Sequence, residues 1–307
     1  MFSVPATAFA ATLSSPDYGQ TAAFLAASWF DQTILVRLAG VGPSRPDNIG
    51  GHLRRSFLGA LAQGASAAAK SGQPCTWDPP CALDVFCREQ LRSTRGDGLS
   101  KPYVIFSQAD GPDLLVYLRV FGMANDWLMR AAEALVHGVE NILPWTQLYP
   151  GRKVAPAILD RQILISPALT RPPVDTVVLN FISPVDASGK NLRATPHSLL
   201  TRMLRRVDAV SRWNGVALTE TAARALAAQA RSMECDPSGL CAGRYEKPNR
   251  FGQSRVNTTM SGQFRITGAT ADFWPVLLIA ERAHVGRGSV EGLGRFELDW
   301  EGRDAPG

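Results

Sequence analysis

The chain has 307 residues, 45% of them hydrophobic and 19% charged, which excludes disorder and leaves enough apolar mass for two ordinary cores. No run of about 18 apolar residues exists, which excludes a membrane-spanning helix, and five cysteines with no sign of export argue against a disulfide framework and for the cytoplasm. The net charge of +5 is segregated: residues 190–255 hold 12 basic and 5 acidic residues, a net of +7, which leaves −2 for the rest and concentrates the signal for an anionic partner.

In chain order, MFSVPATAFAATL lacks the positive start of a secretory leader and runs into Ser14, Ser15, Pro16 and Asp17, so it reads as a structured or frayed terminus. Residues 31–38, rich in β-branched and apolar types, predict a strand, followed by a loop with Gly40, Gly42, Pro43 and Pro46. From Asn48 as a cap, Leu53, Phe57, Leu58 and Leu61 recur at helical spacing, with His52, Arg54 and Arg55 in the first turns. Residues 71–102 read as loop. Strands at 103–107 and 114–121 and a helix at 126–136 complete a β-α-β-β-α pattern, and 144–156 reads as a linker. A second cycle starts with strands near 161–165 and 174–182, passes through helices, and ends in strands near 263–267 and 295–300. The expected architecture is α+β, with one domain over 1–150 and a second over 151–307.

The basic segment 190–255 predicts two helices. In the first, over 196–212, Leu200, Met203, Leu204 and Val207 share one arc, and Arg202, Arg205, Arg206 and Arg212 fall on the opposite face. The second starts at Thr219 with Glu220 in its first turn and carries Arg224 and Arg231 two turns apart. A solvated face is the ordinary reading of either helix alone. Together with Arg244, Lys247, Arg250 and Arg255, interleaved with Tyr245 and Phe251, they suit phosphate contact and base stacking. Arginine's planar fork makes it the better phosphate ligand.

Residues 284–296 form a glycine-rich loop, with Gly286, Gly288, Gly292 and Gly294 flanked by Arg287 and Arg295. Glycines let backbone amides turn toward a phosphate, although a tight turn before a strand uses them as well. The Gly-Lys-Ser/Thr of a nucleotide P-loop is missing.

This loop, with Phe273-Trp-Pro-Val-Leu-Leu-Ile279 before it, resembles the hallmark of the CRISPR repeat-RNA processing endoribonucleases of the RAMP superfamily. Val177-Val-Leu-Asn-Phe-Ile-Ser-Pro184 is similar to that family's strand ending in a Ser-Pro turn. Met203-Leu-Arg-Arg206 is similar to its arginine helix, Arg250 to Gly262 to the segment entering its central strand, and residues 51–61 to the helix after its first strand. The resemblance implies two tandem ferredoxin-like (RAMP/RRM-like) domains with an arginine-rich helical insertion in the second. It also implies a CRISPR repeat RNA (crRNA) ligand, other subunits of a CRISPR effector complex as partners, and no membrane. The large arginine helices are similar to those of the type IV CRISPR processing enzymes.

Enzymes of that family cut RNA without metal, by attack of the ribose 2′-OH on the adjacent phosphate, which needs a base, an acid and cations. The resemblance places His52 as the base, and the other reading of His52 is a surface or helix-start histidine. Arg54 and Arg37 are the cations expected to assist; for Arg37 a strand-surface role is the alternative. The residues expected to bind RNA are Arg55, Arg202, Arg205, Arg206, Arg212, Arg224, Arg231, Arg244, Arg250, Arg255, Gly286, Arg287, Gly288, Gly292 and Gly294. His284 reads as packed, and His137 and His197 as structural or solvent-facing. A RAMP scaffold without nuclease activity is the second reading, and an α+β protein gripping a small phosphate the third.

Cys75, Cys81 and Cys87 are spaced C-x5-C-x5-C, and Cys235 and Cys241 repeat the gap. Structural zinc uses pairs about two to four residues apart, so free or buried thiols, no metal and no cofactor are expected; the resemblance, whose relatives can carry a cysteine cluster in this loop, keeps zinc as the other reading. Asp110 and Asp113 read as loop charge.

Overall fold

The computed structural model describes residues 11–42, 48–87, 99–151, 154, 156–166, 168–169, 171, 173–186, 192–248, 254–268 and 271–300, with the backbone alone for 246–248 and 254–255. The elements are β1 (Asp17–Gly19), α1 (Ala22–Ala27), β2 (Asp31–Leu38), α2 (Ile49–Gln63), α3 (Ala67–Lys70), α4 (Ala82–Cys87), β3 (Tyr103–Asp110), β4 (Asp113–Phe121), α5 (Leu128–His137), α6 (Trp145–Leu148), β5 (Ile158–Ile165), β6 (Thr176–Asp186), α7 (His197–Ser211), β7 (Val216–Leu218), α8 (Glu220–Ser232), β8 (Glu234–Asp236), β9 (Leu240–Pro248), β10 (Ser254–Thr267), α9 (Trp274–Ala283) and β11 (Phe296–Asp299). They gather in two units. The first takes the described residues of Met1–Pro16, Phe30–Pro167 and Arg212–Gly215, and the second those of Asp17–Trp29, Ala168–Ser211 and Val216–Gly307. Among the described residues no helix is long and apolar enough to cross a membrane.

The first unit has a four-stranded sheet in the order β3-β4-β2-β5 with antiparallel neighbours. With α2 after β2 and α5 after β4, this is the βαββαβ topology of a ferredoxin-like fold. Alternation along β2 buries Ile34, Val36 and Leu38 on one face. Over that face α2 buries Leu53, Phe57 and Leu61. Phe57 meets Phe86 of α4 and Tyr103 of β3 edge-on, all three ring centroids 5.6 Å apart. Each such buried ring contributes about 1.5–3 kcal/mol.

The division expected at 150/151 differs from the observed one. β5 pairs with β2 along its length, so it closes the first sheet instead of opening the second. Arg212–Gly215 also joins the first unit, where Trp213 Nε1 donates to the Ser100 carbonyl at 2.8 Å and Gly122, at φ +54°, lies too close to the Trp213 carbonyl to admit a Cβ.

The second unit repeats the topology. Its sheet runs β11-β6-β10-β8, with β9 also on β10. β8 pairs with Arg265–Thr267 and β9 with Ser254–Gly262, so the two behave as one strand interrupted opposite Gln263. β10 shifts register between Met260 and Gly262, and Gly262 takes the positive φ of 103°. The core brings Leu200, Met203, Leu204 and Val207 of α7 together with Phe264, Ile266 and the apolar residues of α9. The helical insertion is β7 with α8. β7 pairs in parallel with β1, and α8 starts at Thr219, whose Oγ1 accepts the Ala222 amide at 3.2 Å. Two local expectations are corrected: residues 71–102 contain α4, and the basic stretch after Arg244 is largely the strand pair β9–β10.

Candidate functional site

His52 sits in the first turns of α2 because the burial of Ile49, Leu53 and Phe57 fixes the rotation of that helix. It is half-buried, and its Nδ1 is sealed from water without a hydrogen-bond partner. Burial first, and the charge of Arg55 second, hold its pKa below the ordinary 6.5, so the imidazole is neutral at pH 7. Arg55 is exposed, while Arg54 donates from Nε to the Tyr103 hydroxyl at 3.2 Å. A neutral imidazole beside an exposed guanidinium can accept a proton and stabilise a phosphate charge.

Arg37 does not join them. It pairs across the sheet with Leu115, whereas Tyr103, against which α2 packs, pairs with Val120. Leu115 and Val120 are five residues apart on an unbulged β4 and so face opposite ways. Arg37 therefore projects from the face away from α2, and Asp110 at 3.1 Å and Asp113 at 3.8 Å neutralise it. Those two aspartates, expected as solvated loop charge, form this ion pair. The same face carries a feature that sequence reasoning missed, Phe106 stacked on Tyr117 at 4.7 Å with Arg119 over Phe106 at 5.7 Å. Only the strand register, through the Phe106–Tyr117 pairing, could have revealed it.

The arginines of the second unit divide sharply. On α7, Arg205 is exposed and Arg202 half-buried. Arg206 is spent on the fold: Nε and Nη2 both donate to the Ala283 carbonyl at the end of α9, at 3.3 Å each, and burial lowers its pKa to about 10. Arg212 lies beyond the helix and is 2% exposed, in the first unit, where Nη1 donates to the Leu13 carbonyl at 3.4 Å. It is no part of a surface stripe. Arg224 pairs with Glu220 one turn before it, and Arg231 is exposed at the end of α8. Arg244 is exposed on β9, but the adjacent Tyr245 is buried and offers no stacking surface. Arg255 has a strand backbone opposite Lys247; Arg250 and Phe251 lie outside the described residues.

The glycine loop holds itself together with the amides expected to face a phosphate. Arg287 N–H donates to the Asp186 carbonyl at 3.1 Å, Gly294 N–H to Pro184 at 2.9 Å, and Glu291 and Leu293 N–H to Gly288 at 2.8 and 3.2 Å. Ser183 Oγ donates to the Gly292 carbonyl at 2.7 Å and accepts the Arg295 amide at 2.8 Å. The Ser-Pro end of β6 thus seats the loop. Gly286, Gly288, Gly292 and Gly294 all have φ between +65° and +86°. A Cβ on Gly294 would lie 1.8 Å from the Val285 carbonyl oxygen. The glycines are needed for backbone shape, and Arg287 is the exposed charge at the loop. His284 is buried, as expected.

Comparison with known proteins bears on this same region. Residues 179–296, from β6 through the glycine loop to β11, match the family model of the CRISPR-associated endoribonuclease Cas6. Apart from Arg212–Gly215, the matched stretch lies in the second unit. Among solved structures, Thermus thermophilus Cas6 is similar with a TM-score of 0.54 at 11% identity, covering 88% of this chain and 99% of that one. The product complex of that Cas6 gives 0.57 at 12%, covering 88% and 100%, and the product complex of another Cas6 gives 0.52 at 15%, also covering 88% and 100%. These likenesses carry the fold, two tandem ferredoxin-like units as in Cas6. No curated protein matches the chain. The Cas6 match supports a place in CRISPR RNA processing or binding, and it leaves the first unit, with His52, to be argued from its own geometry.

Proposed function

We propose that the protein is an endoribonuclease that binds the stem-loop of a CRISPR repeat and cuts the precursor RNA without metal. The observation that carries this reading is the Cas6 match over residues 179–296. In the reaction the ribose 2′-OH attacks the adjacent phosphate, the 2′ proton passes to a base, and the 5′ oxygen leaves protonated. A cyclic phosphate and a 5′-OH remain. His52 is the base, since its neutral imidazole is ready to take a proton near pH 7. Arg55 meets the phosphate charge, and Arg54 positions α2 through Tyr103. Arg205, Arg231, Arg244 and Arg287 are exposed cations that hold the RNA backbone. The enzyme acts in the cytoplasm and keeps its product, the mature crRNA, as a subunit of an effector complex.

The test is incubation of the purified protein with its end-labelled repeat RNA in excess EDTA, beside a substrate with a 2′-deoxy at the cut. A single cut that persists in EDTA and vanishes with the deoxy substrate is expected. Tight binding with no cut would identify a scaffold subunit instead, and neither binding nor cutting would overturn the reading.

A further inference from the structure

Cys75 and Cys81 of the first unit take no part in the RNA reading, yet their surroundings are built around sulfur. Cys75 Sγ accepts the Trp77 amide at 3.4 Å and the Cys81 amide at 3.3 Å. Ser66 and the Cys81 thiol are near enough to Cys75 to lower its pKa as well. Ser66 Oγ lies 3.9 Å from Cys81 Sγ and accepts the Ala69 amide at 3.1 Å, which leaves its own proton for a sulfur. Burial pushes the Cys75 thiol up, and this set of donors outweighs it, so the thiol ends below its usual value. Cys235 shows the opposite case, burial alone, and is pushed up to about 11.

Solvent reaches the second sulfur: Cys81, Trp77, Pro80, Trp127 and His137 are among the residues lining a cavity of about 540 Å³ in the same unit, ample for a small oxidant, while Cys75 is buried and off that lining.

We propose that Cys75 and Cys81 are a redox-active dithiol that a hydroperoxide converts to an intramolecular disulfide. The Cys75 thiolate attacks the outer peroxide oxygen, the O–O bond breaks, and the departing oxygen takes up a proton, leaving a sulfenic acid on Cys75 and a molecule of water or alcohol. Cys81 sulfur then attacks the sulfenic sulfur, the S–O bond breaks, and hydroxide leaves as water with the Cys81 proton. Two electrons from the two sulfurs reduce one peroxide. This chemistry is independent of RNA and of the proposed nuclease activity.

The test uses the full chain, reduced and freed of reductant, treated with hydrogen peroxide, then alkylated and digested for mass spectrometry. A Cys75–Cys81 disulfide should form while Cys235 and Cys241 are still alkylated, and dithiothreitol should reverse it. In Cys81→Ser, Cys75 should stop at a sulfenic acid trapped by dimedone, and Ser66→Ala should slow Cys75 oxidation severalfold. Oxidation of Cys75 no faster than that of exposed Cys241, or its pairing with a cysteine other than Cys81, would overturn the proposal.

Discussion

His52 is a helix-borne imidazole with one nitrogen sealed from water and a guanidinium nearby, and both features favour its neutral form. As the base of the proposed reaction it gives kcat/KM an acid limb with its midpoint below 6.5, flat through neutrality. His52→Ala should lower the cleavage rate by about 10²–10⁴-fold and leave RNA affinity near that of the parent. A single-turnover pH series beside a binding titration checks both, and unchanged cleavage would remove His52 from the site. Folding is linked to the same proton. The folded pKa lies below the unfolded value, so the contribution of neutral His52 is present above 6.5 and lost as pH falls through the folded pKa. Sequence reasoning proposed His52 through the resemblance of residues 51–61 to a family helix, with the helix-start position and neighbouring arginines as the local features beside it. It grouped Arg37 with His52 because the side of a sheet on which a strand residue lies depends on register, which no local pattern contains.

At the scale of elements, the glycine loop and the end of α7 separate shape from charge. Gly294→Ala places a Cβ against the Val285 carbonyl at φ +65°, so it should cost more than about 2 kcal/mol. Gly40→Ala, at φ +71° with open space around it, should cost only about 1 kcal/mol. Urea unfolding of the two variants makes the comparison, and equal losses would mean that close packing plays no part in the loop. Arg206→Met strips both donors from the Ala283 carbonyl and should lower stability by about 1–3 kcal/mol, with the melting temperature as readout. Arg205→Ala, one position earlier and exposed, should leave the melting temperature unchanged. Helix periodicity showed which arc of α7 is apolar, but not that α9 ends within reach of one arginine on the other arc. The edge strand β5 was visible as a strand for the same local reason, while its partner β2 lies more than a hundred residues earlier, and so it was assigned to the wrong side of the domain division.

For the whole molecule, the net charge of +5 overstates what an RNA backbone can meet. Arg206 and Arg212 are committed to carbonyls, Arg193 donates to the Leu240 carbonyl, and Arg37 and Arg224 are paired with acids. Composition identified the basic segment correctly, but only burial and pairing separate cations that hold the fold from those left for a ligand. Arg205, Arg231 and Arg244 are exposed on α7, α8 and β9. Each phosphate neutralised on a duplex releases counterions worth about 0.9 in the slope of log K against log salt, and about 0.7 on a single strand. Replacing all three with alanine should therefore flatten the slope by about 2–3 for a repeat stem-loop and weaken binding most at low salt. Arg212→Met should behave in the opposite way, lowering the melting temperature and leaving the slope of the surviving folded protein intact, because its guanidinium faces the Leu13 carbonyl. Filter binding from low to moderate salt, with melting curves on the same preparations, distinguishes the two. A slope unchanged in the triple variant would mean that these exposed arginines do not touch phosphate, and would move the RNA path to Arg55 and Arg287.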